Sequence, residues 1–393
     1  MMKLAVIFES SPFDRKGLFN AVHNRVKHLL ATGECSIDVF CIHSRDNAFT
    51  RRVRHTSSVP HVDMVEVEGI RYNMLWYRFS VLDYVLLEKL DLRPWFFRHF
   101  ISSHVSQLEG YDAVVAHSFT GALFAHAAHE SYGVPYYVTW HGSDVHTHPW
   151  RVPVMLQDTR KVMEDAECNF FVSKALMAAS DKITVDASKQ VLYNGVSDDF
   201  VEYTAEERIN VRKRFGVSTD DHVVAFVGNL VPVKNVPVLP HVFAEVAKRF
   251  EGSLKFWIVG DGKLRKQLET SMTHLGSDIR FWGNVPSEEM PAVMNSIDVL
   301  VLPSLNEGLP LVCAEAISCG AKVVGSDVGG IPEVVGHDNA IPLGDSFVND
   351  IAAKIVSMLN DQSPVQTLPS EISWSRTAAL ELSVLKSRQH LTR

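Results

Sequence analysis

Twice in this 393-residue chain, a run of about five apolar residues ends in a polar, glycine-containing loop that leads into a segment of helical period. Lys3–Phe8 is followed by a loop holding Pro12 and Gly17, then by Leu18–Leu30. Val223–Val227 is followed by Gly228, then by Val238–Phe250. A run so short and so continuous must be covered on both faces, the condition of a parallel strand flanked by crossover helices. Two such starts in a chain of this length predict two doubly wound α/β domains.

After the second start the alternation is regular. Leu254–Val259, Ile279–Trp282, Asp298–Leu302 and Lys322–Gly325 read as strands. Helices are expected over about Lys263–His274, Pro286–Asn295 with Ser287 as its cap, and Leu309–Cys319. This is one domain, about residues 200–370. The first half is less regular, but Ala113–His117, Tyr136–Trp140, Asn169–Val172 and Gln190–Leu192 are strand-like and give a second domain over 1–195. The turn Tyr193–Val196 with polar Ser197–Asp199 reads as the hinge. Facing domains of this kind would hold a ligand in a cleft between the C-terminal edges of their sheets.

Composition removes other classes. A hydrophobic share of 46% with 21% charged residues excludes wholesale disorder. The net charge of −8 argues against nucleic acid as a partner held by bulk charge. Five scattered cysteines without a CxxC read as reduced thiols in a cytoplasm. The opening apolar run is a strand's length, not a leader's, and no stretch reaches the ~18 apolar residues of a membrane span.

The most specific chemical signal is Pro303-Ser304-Leu305-Asn306-Glu307-Gly308-Leu309-Pro310-Leu311-Val312-Cys313-Ala314-Glu315. It follows a predicted strand and runs into a helix, with Glu307 in the loop and Glu315 about two turns into the helix. Gly308 permits close approach of a ligand to the backbone, and Pro310 suits a first helical turn. Amides at that helix start can bind an anion such as a diphosphate, while carboxylates beside it would accept hydrogen bonds from sugar hydroxyls. On spacing alone, one helix-start charge and one exposed glutamate remain an ordinary alternative.

In this pattern the chain resembles the large family of retaining, nucleotide-sugar-dependent glycosyltransferases of the two-domain, Rossmann-like GT-B fold (glycosyl transferases group 1, family 4), whose E-x7-E motif corresponds to Glu307…Glu315. The resemblance continues through Phe226-Val227-Gly228-Asn229-Leu230-Val231-Pro232-Val233-Lys234, Val259-Gly260-Asp261-Gly262, Asp298–Ser304 and Ser326-Asp327-Val328-Gly329-Gly330-Ile331-Pro332-Glu333. In the first half it is carried by Trp140-His141-Gly142-Ser143-Asp144 and Tyr193-Asn194-Gly195-Val196.

The resemblance implies hexosyl transfer from a nucleotide-diphosphate sugar to a hydroxyl acceptor, glycan or lipid-linked, in surface polysaccharide or glycoconjugate synthesis. It implies that Lys234 and the amides of Gly308 and Leu309 hold the diphosphate. Glu315 would bind ribose, Glu307 the sugar's hydroxyls, and His141 the sugar and its phosphate. Main-chain groups near Gly283–Val285 would read the base, with Gly228 and Asn229 in the donor loop. Asn229 stands where the family usually has an arginine, and Gly17 stands alone where a glycine pair is usual. Trp374 resembles the start of the family's last helix, so residues 375–393 would pack back on the first domain.

No Asp-x-Asp is present, so no cofactor or metal is expected, and protein donors would stabilise the leaving group. A metal cluster of His141, His146 and His148 is the alternative use of that motif. A sugar-nucleotide epimerase or phosphorylase of the same fold, or a non-catalytic nucleotide-sugar-binding module, are the competing functions. Finally, Arg45, Arg51, Arg52 and Arg54, with Leu92-Arg93-Pro94-Trp95-Phe96-Phe97-Arg98-His99-Phe100, interleave cations and aromatics. Such segments suit peripheral docking on an anionic inner-membrane surface, or else a solvated face and a buried helix.

Overall fold

The computed structural model describes all residues except 14–16, 46–58, 79, 274, 276–277, 362–365 and 390–393. Arg51, Arg52 and Arg54 of the arginine cluster therefore lie outside the described residues. The chain divides into two compact units, one of Met1–Asn194 with the segment from Trp374, the other of Gly195–Ser373.

The first unit is built on β1 (Met2–Glu9), β2 (Cys35–Ser44), β3 (Met64–Val67), β4 (Ile70–Tyr77), β5 (Ala113–His117), β6 (Tyr136–Trp140), β7 (Cys168–Phe171) and β8 (Lys189–Val191). They form one sheet in the order β3-β4-β2-β1-β5-β6-β7-β8, parallel throughout except for β3 on β4. Strands β5, β6 and β7 are buried along their whole length, as their continuous apolar runs require. Sequence reading missed β2, β3 and β4. β4 alternates buried with exposed or half-buried residues at Arg71 and Asn73, so it lacks the continuous run of a central strand.

The second unit contains β9 (Asp221–Val227), β10 (Ser253–Val259), β11 (Asp278–Gly283), β12 (Val299–Leu302), β13 (Lys322–Ser326) and β14 (Ala340–Ile341), all parallel, in the order β11-β10-β9-β12-β13-β14. The strand order reverses between β9 and β12 here, and between β1 and β5 in the first sheet. At such switch points the flanking loops leave in opposite directions and open a crevice at the C-terminal edge.

Two helix starts differ from expectation. Ser287 caps nothing: it opens a short 3₁₀ turn, Ser287–Glu289, and the helix proper is Met290–Ser296 with Pro291 in its first turn. Proline lacks an N–H, so it fits a first turn where that group would have no partner. Likewise Pro310 is extended (φ −79°, ψ 91°) and the helix is Leu311–Ser318, which leaves Glu315 about one turn in. Leu309 precedes a proline, and the ring disfavours helical backbone at that position.

The C-terminal helix Trp374–Gln389 contributes Ala378, Leu382 and Leu385 to the core of the first unit, against Val22, Val26 and Leu29 of the helix Gly17–Ala31. Between these helices lies a buried ion pair, Arg25 Nε to Glu381 Oε2 at 2.6 Å, with both side chains essentially unexposed. A buried pair adds little net stability over apolar packing, but removing one partner strands the other charge. Glu381→Gln is therefore expected to destabilise the first unit by roughly 3–5 kcal/mol. Arg25→Met combined with Glu381→Leu should recover most of that loss, both read from urea unfolding. A single variant within 1 kcal/mol of the parent, on the order of a surface change, would refute the assignment.

Candidate functional site

In the second unit the loops that leave the C-terminal edge are tied to one another by main-chain hydrogen bonds. Gly228 N donates to Val259 O (2.9 Å), Leu230 N to Asp261 O (2.9 Å) and Gly260 N to Gly283 O (2.8 Å). The contact admits no side chain. Gly260 has φ +123°, and a Cβ there would fall 2.1 Å from Gly228 O. Gly228 and Gly283 thus flank Gly260 on either side, with Asn229 exposed beside Gly228 and Val285 half-buried two residues beyond Gly283.

The loop after β12 joins this edge from the other side of the switch point. Leu305 N donates to Val233 O (2.8 Å), which draws it to the short turn ending at Lys234. There Lys234 Nζ donates to Glu307 Oε1 at 2.6 Å, and Ser304 Oγ donates to the same oxygen at 2.7 Å. Lys234 and Glu307 are 73 residues apart in sequence and largely buried, their side chains 21% and 12% exposed. Glu307 is fixed from behind as well. Gly330 N lies 3.3 Å from its carbonyl, and Gly329 adopts φ +52° where a Cβ would meet that carbonyl at 2.0 Å.

Gly308 and Leu309 follow directly and are buried, just ahead of the helix Leu311–Ser318. The first amides of a helix have no intrahelical acceptor and carry the positive end of its dipole, so they suit an anion. Glu315 lies one turn further on, and burial pushes its carboxyl up to about 7. Lys234, Glu307, Gly228, Asn229, Gly283, Val285, Gly308, Leu309 and Glu315 therefore all belong to one edge of one sheet.

His141 and Gly17 belong to the first unit. His141 follows β6, and its Nε2 is 3.1 Å from Nδ1 of His117, the last residue of β5. Asp144 accepts from the amides of His141 and Gly142, which orients the loop. Burial and the nearby Arg25 cation push His141 down to about 3, and burial first of all holds His117 well below the usual range. Both imidazoles are consequently neutral near pH 7, so one ring must donate the shared proton to the other. Sequence reading singled out His141 but missed His117 and Ser304. The signal for His117 is present only as a histidine closing the strand next to β6. Gly17 opens the helix Gly17–Ala31, and a Cβ there would meet nothing within 4 Å, so its position needs no glycine.

At the edge of β1, Glu9 accepts from Tyr77 Oη and Thr120 Oγ1, each at 2.6 Å. Trp374 is buried, its ring near that of His28.

Residues 221–361 match the family model for glycosyl transferases group 1, and residues 17–195 match that for a glycosyl transferase 4-like domain. The chain is 28% identical over 234 residues to TuaC of Bacillus subtilis (strain 168), a proposed teichuronic acid biosynthesis glycosyltransferase. That alignment covers 59% of this chain and 57% of TuaC, somewhat over half of the relative's length. It is 31% identical to the 2-deoxystreptamine glucosyltransferase of Streptomyces kanamyceticus, across 44% of this chain and 46% of that one. Among solved structures, Anabaena Alr3699/HepE in complex with UDP and glucose superposes with a TM-score of 0.68 at 17% identity, covering 100% of this chain and 99% of HepE. Sucrose-phosphate synthase from Thermosynechococcus elongatus superposes at 0.71 with 19% identity, covering 100% of this chain and 98% of the synthase. At these identities the superpositions speak to the fold, GT-B, while the sequence matches speak to descent. By sequence, the chain belongs to the glycosyltransferases that join a transferase 4-like domain in the first half to a group 1 domain in the second.

Proposed function

We propose that this protein moves a hexosyl group from a nucleoside-diphosphate sugar to a hydroxyl acceptor, with retention of configuration and without a metal ion, in surface polysaccharide or glycoconjugate synthesis. The observation that carries the reading is the triad of Lys234, Glu307 and Ser304 at the switch point of the second sheet. The names of the relatives and the UDP and glucose bound by HepE support the choice of donor.

In this reading the ammonium of Lys234 and the amides of Gly308 and Leu309 take up the charge that grows on the departing diphosphate. Lys234 carries that task without the usual arginine, because Asn229 can donate a hydrogen bond but cannot neutralise charge. Glu307 accepts from the sugar's hydroxyls and Glu315 from the ribose. His141, neutral and hydrogen-bonded to His117, offers a donor or an acceptor to the sugar and its phosphate. The acceptor oxygen attacks the anomeric carbon on the face from which the diphosphate leaves, and the acceptor's proton passes to a diphosphate oxygen. The absence of Asp-x-Asp in the sequence supports metal independence. The acceptor is a glycan or a lipid-linked one, met by a cytoplasmic protein at the inner membrane surface. Among the described residues no helix is long and apolar enough to cross a membrane.

Three outcomes test this reading. A thermal-shift screen of nucleotide sugars identifies the donor through ligand-linked stabilisation. With that donor, Lys234→Ala should lower kcat/KM by about 30- to 1000-fold, equivalent to about 2–4 kcal/mol of transition-state stabilisation. A change within about threefold, under ~0.7 kcal/mol, would show that Lys234 does not hold the leaving group. Turnover should persist in excess chelator; a loss restored only by magnesium or manganese contradicts metal independence.

Donor binding should also strengthen with pH. Glu315 titrates at about 7 and accepts ribose hydroxyls best when ionised, so its ionised fraction rises about tenfold between pH 6 and pH 8. Calorimetric affinity for the donor should follow that rise, and Glu315→Gln should flatten it. A profile as steep in the variant as in the parent would remove Glu315 from the ribose site.

A further inference from the structure

The helix Val81–Leu90, Val-Leu-Asp-Tyr-Val-Leu-Leu-Glu-Lys-Leu, is built inside out. Its one buried residue is Asp83. Val81, Leu82, Tyr84 and Leu90 are 48–57% exposed, and Leu92 and Trp95 just beyond it are 52% and 57% exposed. A surface helix of a globular unit normally buries its apolar stripe and exposes its charges. Apolar side chains exposed together over fifteen residues mark a surface made to meet something other than water.

The inversion is fixed by the fold. Asp83 and Ser80 cap the helix start reciprocally, and Asp91 ends it in the left-handed conformation with Oδ1 accepting from Val154 N at 2.9 Å. Glu88 pairs with Arg151, and Leu87 packs on the small cluster of Val152, Val154 and Met155. All three carboxylates of the segment are thus engaged by the first unit's own groups. Arg78, Lys89 and Arg98, close to these apolar residues in sequence, are exposed.

We infer that this surface, Val81–Leu90 with Leu92 and Trp95, seats the first unit on an anionic lipid bilayer by shallow insertion. Aliphatic side chains enter the acyl boundary, Tyr84 and Trp95 sit at headgroup level where aromatic rings with a polar edge are favoured, and the basic rim meets anionic headgroups. A second copy of this chain would bring the same basic rim against itself, whereas anionic lipid complements it. A chain of net charge −8 needs such a concentration of cations on one face to approach that lipid at all. The inference shares with the proposed function only a membrane-bound acceptor. It rests on residues other than those assigned to the sugar-nucleotide site.

The test is co-sedimentation of the full chain with vesicles of phosphatidylcholine alone or with about a third phosphatidylglycerol, at low and high salt. Binding should require the anionic lipid and should persist in part at high salt, because insertion is not screened. Leu82→Glu with Val85→Glu, both exposed positions, should weaken it at least tenfold while the melting temperature and turnover of a soluble acceptor stay unchanged. Lys89→Glu should weaken it chiefly at low salt.

Undiminished binding by the Leu82/Val85 variant would overturn the inference. If Arg45→Glu with Arg51→Glu and Arg52→Glu then abolished binding, a membrane-bound acceptor would stand while this surface fell. No binding to either vesicle would overturn it too, as would a concentration-dependent dimer that the Leu82/Val85 variant dissolves.

Discussion

Parallel pairing of β9 with β12 is the constraint on which the candidate site depends. Val224 lies against Val299 and Ala225 against Leu300, so the two strands end at nearly the same level although the chain has passed through β10 and β11 between them. Because β10 lies on the other side of β9, the crossovers leave in opposite directions and the two loops share an open edge. That placement brings the ammonium of Lys234 to the carboxylate of Glu307. The glycines then remove the remaining freedom: Gly260 admits Gly228 and Gly329 admits the carbonyl of Glu307 at distances no Cβ would allow. A binding edge built in this way is positioned by main chain, which responds little to ligand.

The first sheet applies the same geometry to different chemistry. Its switch point between β1 and β5 collects Glu9, His117 and His141. Positive charge near it is supplied by Arg25, which pairs with Glu381 of the C-terminal helix. The same cation contributes to keeping both imidazoles neutral, though their burial does more. The C-terminal helix is therefore part of the electrostatics of this edge as well as of its core.

The first unit also shows how a fold can spend stability on a surface. Leaving Val81, Leu82, Tyr84 and Leu90 about half exposed forgoes roughly 0.7–1.5 kcal/mol for each large apolar side chain. The capping box at Ser80 and Asp83 and the pairs at Glu88 and Asp91 offset part of that by holding the helix from its polar side. Polar contacts, with the packing of Leu87 on Val152, Val154 and Met155, set its place.

Sequence alone determined the elements whose burial is uniform. β5, β6, β9 and β12 carry continuous apolar runs because both of their faces are covered, and a run is visible without knowing what covers it, whereas β11 is mixed and the two-residue β14 has no such run. The Glu307…Glu315 spacing after a strand was visible as a pattern, but the assignments of Glu307, Glu315 and Lys234 came from the family resemblance. Tertiary structure decided what depends on neighbours remote in sequence. β4 is half-buried only because of its place near the sheet edge. His117 meets His141 only because β5 and β6 are adjacent, and Ser304 reaches Glu307 only through the turn of its loop. The helix Val81–Leu90 is not picked out in the sequence, because its apolar residues mark no single face to turn inward. Its orientation was settled by where Asp83, Glu88 and Asp91 find hydrogen-bond partners, and those partners belong to the fold rather than to the segment.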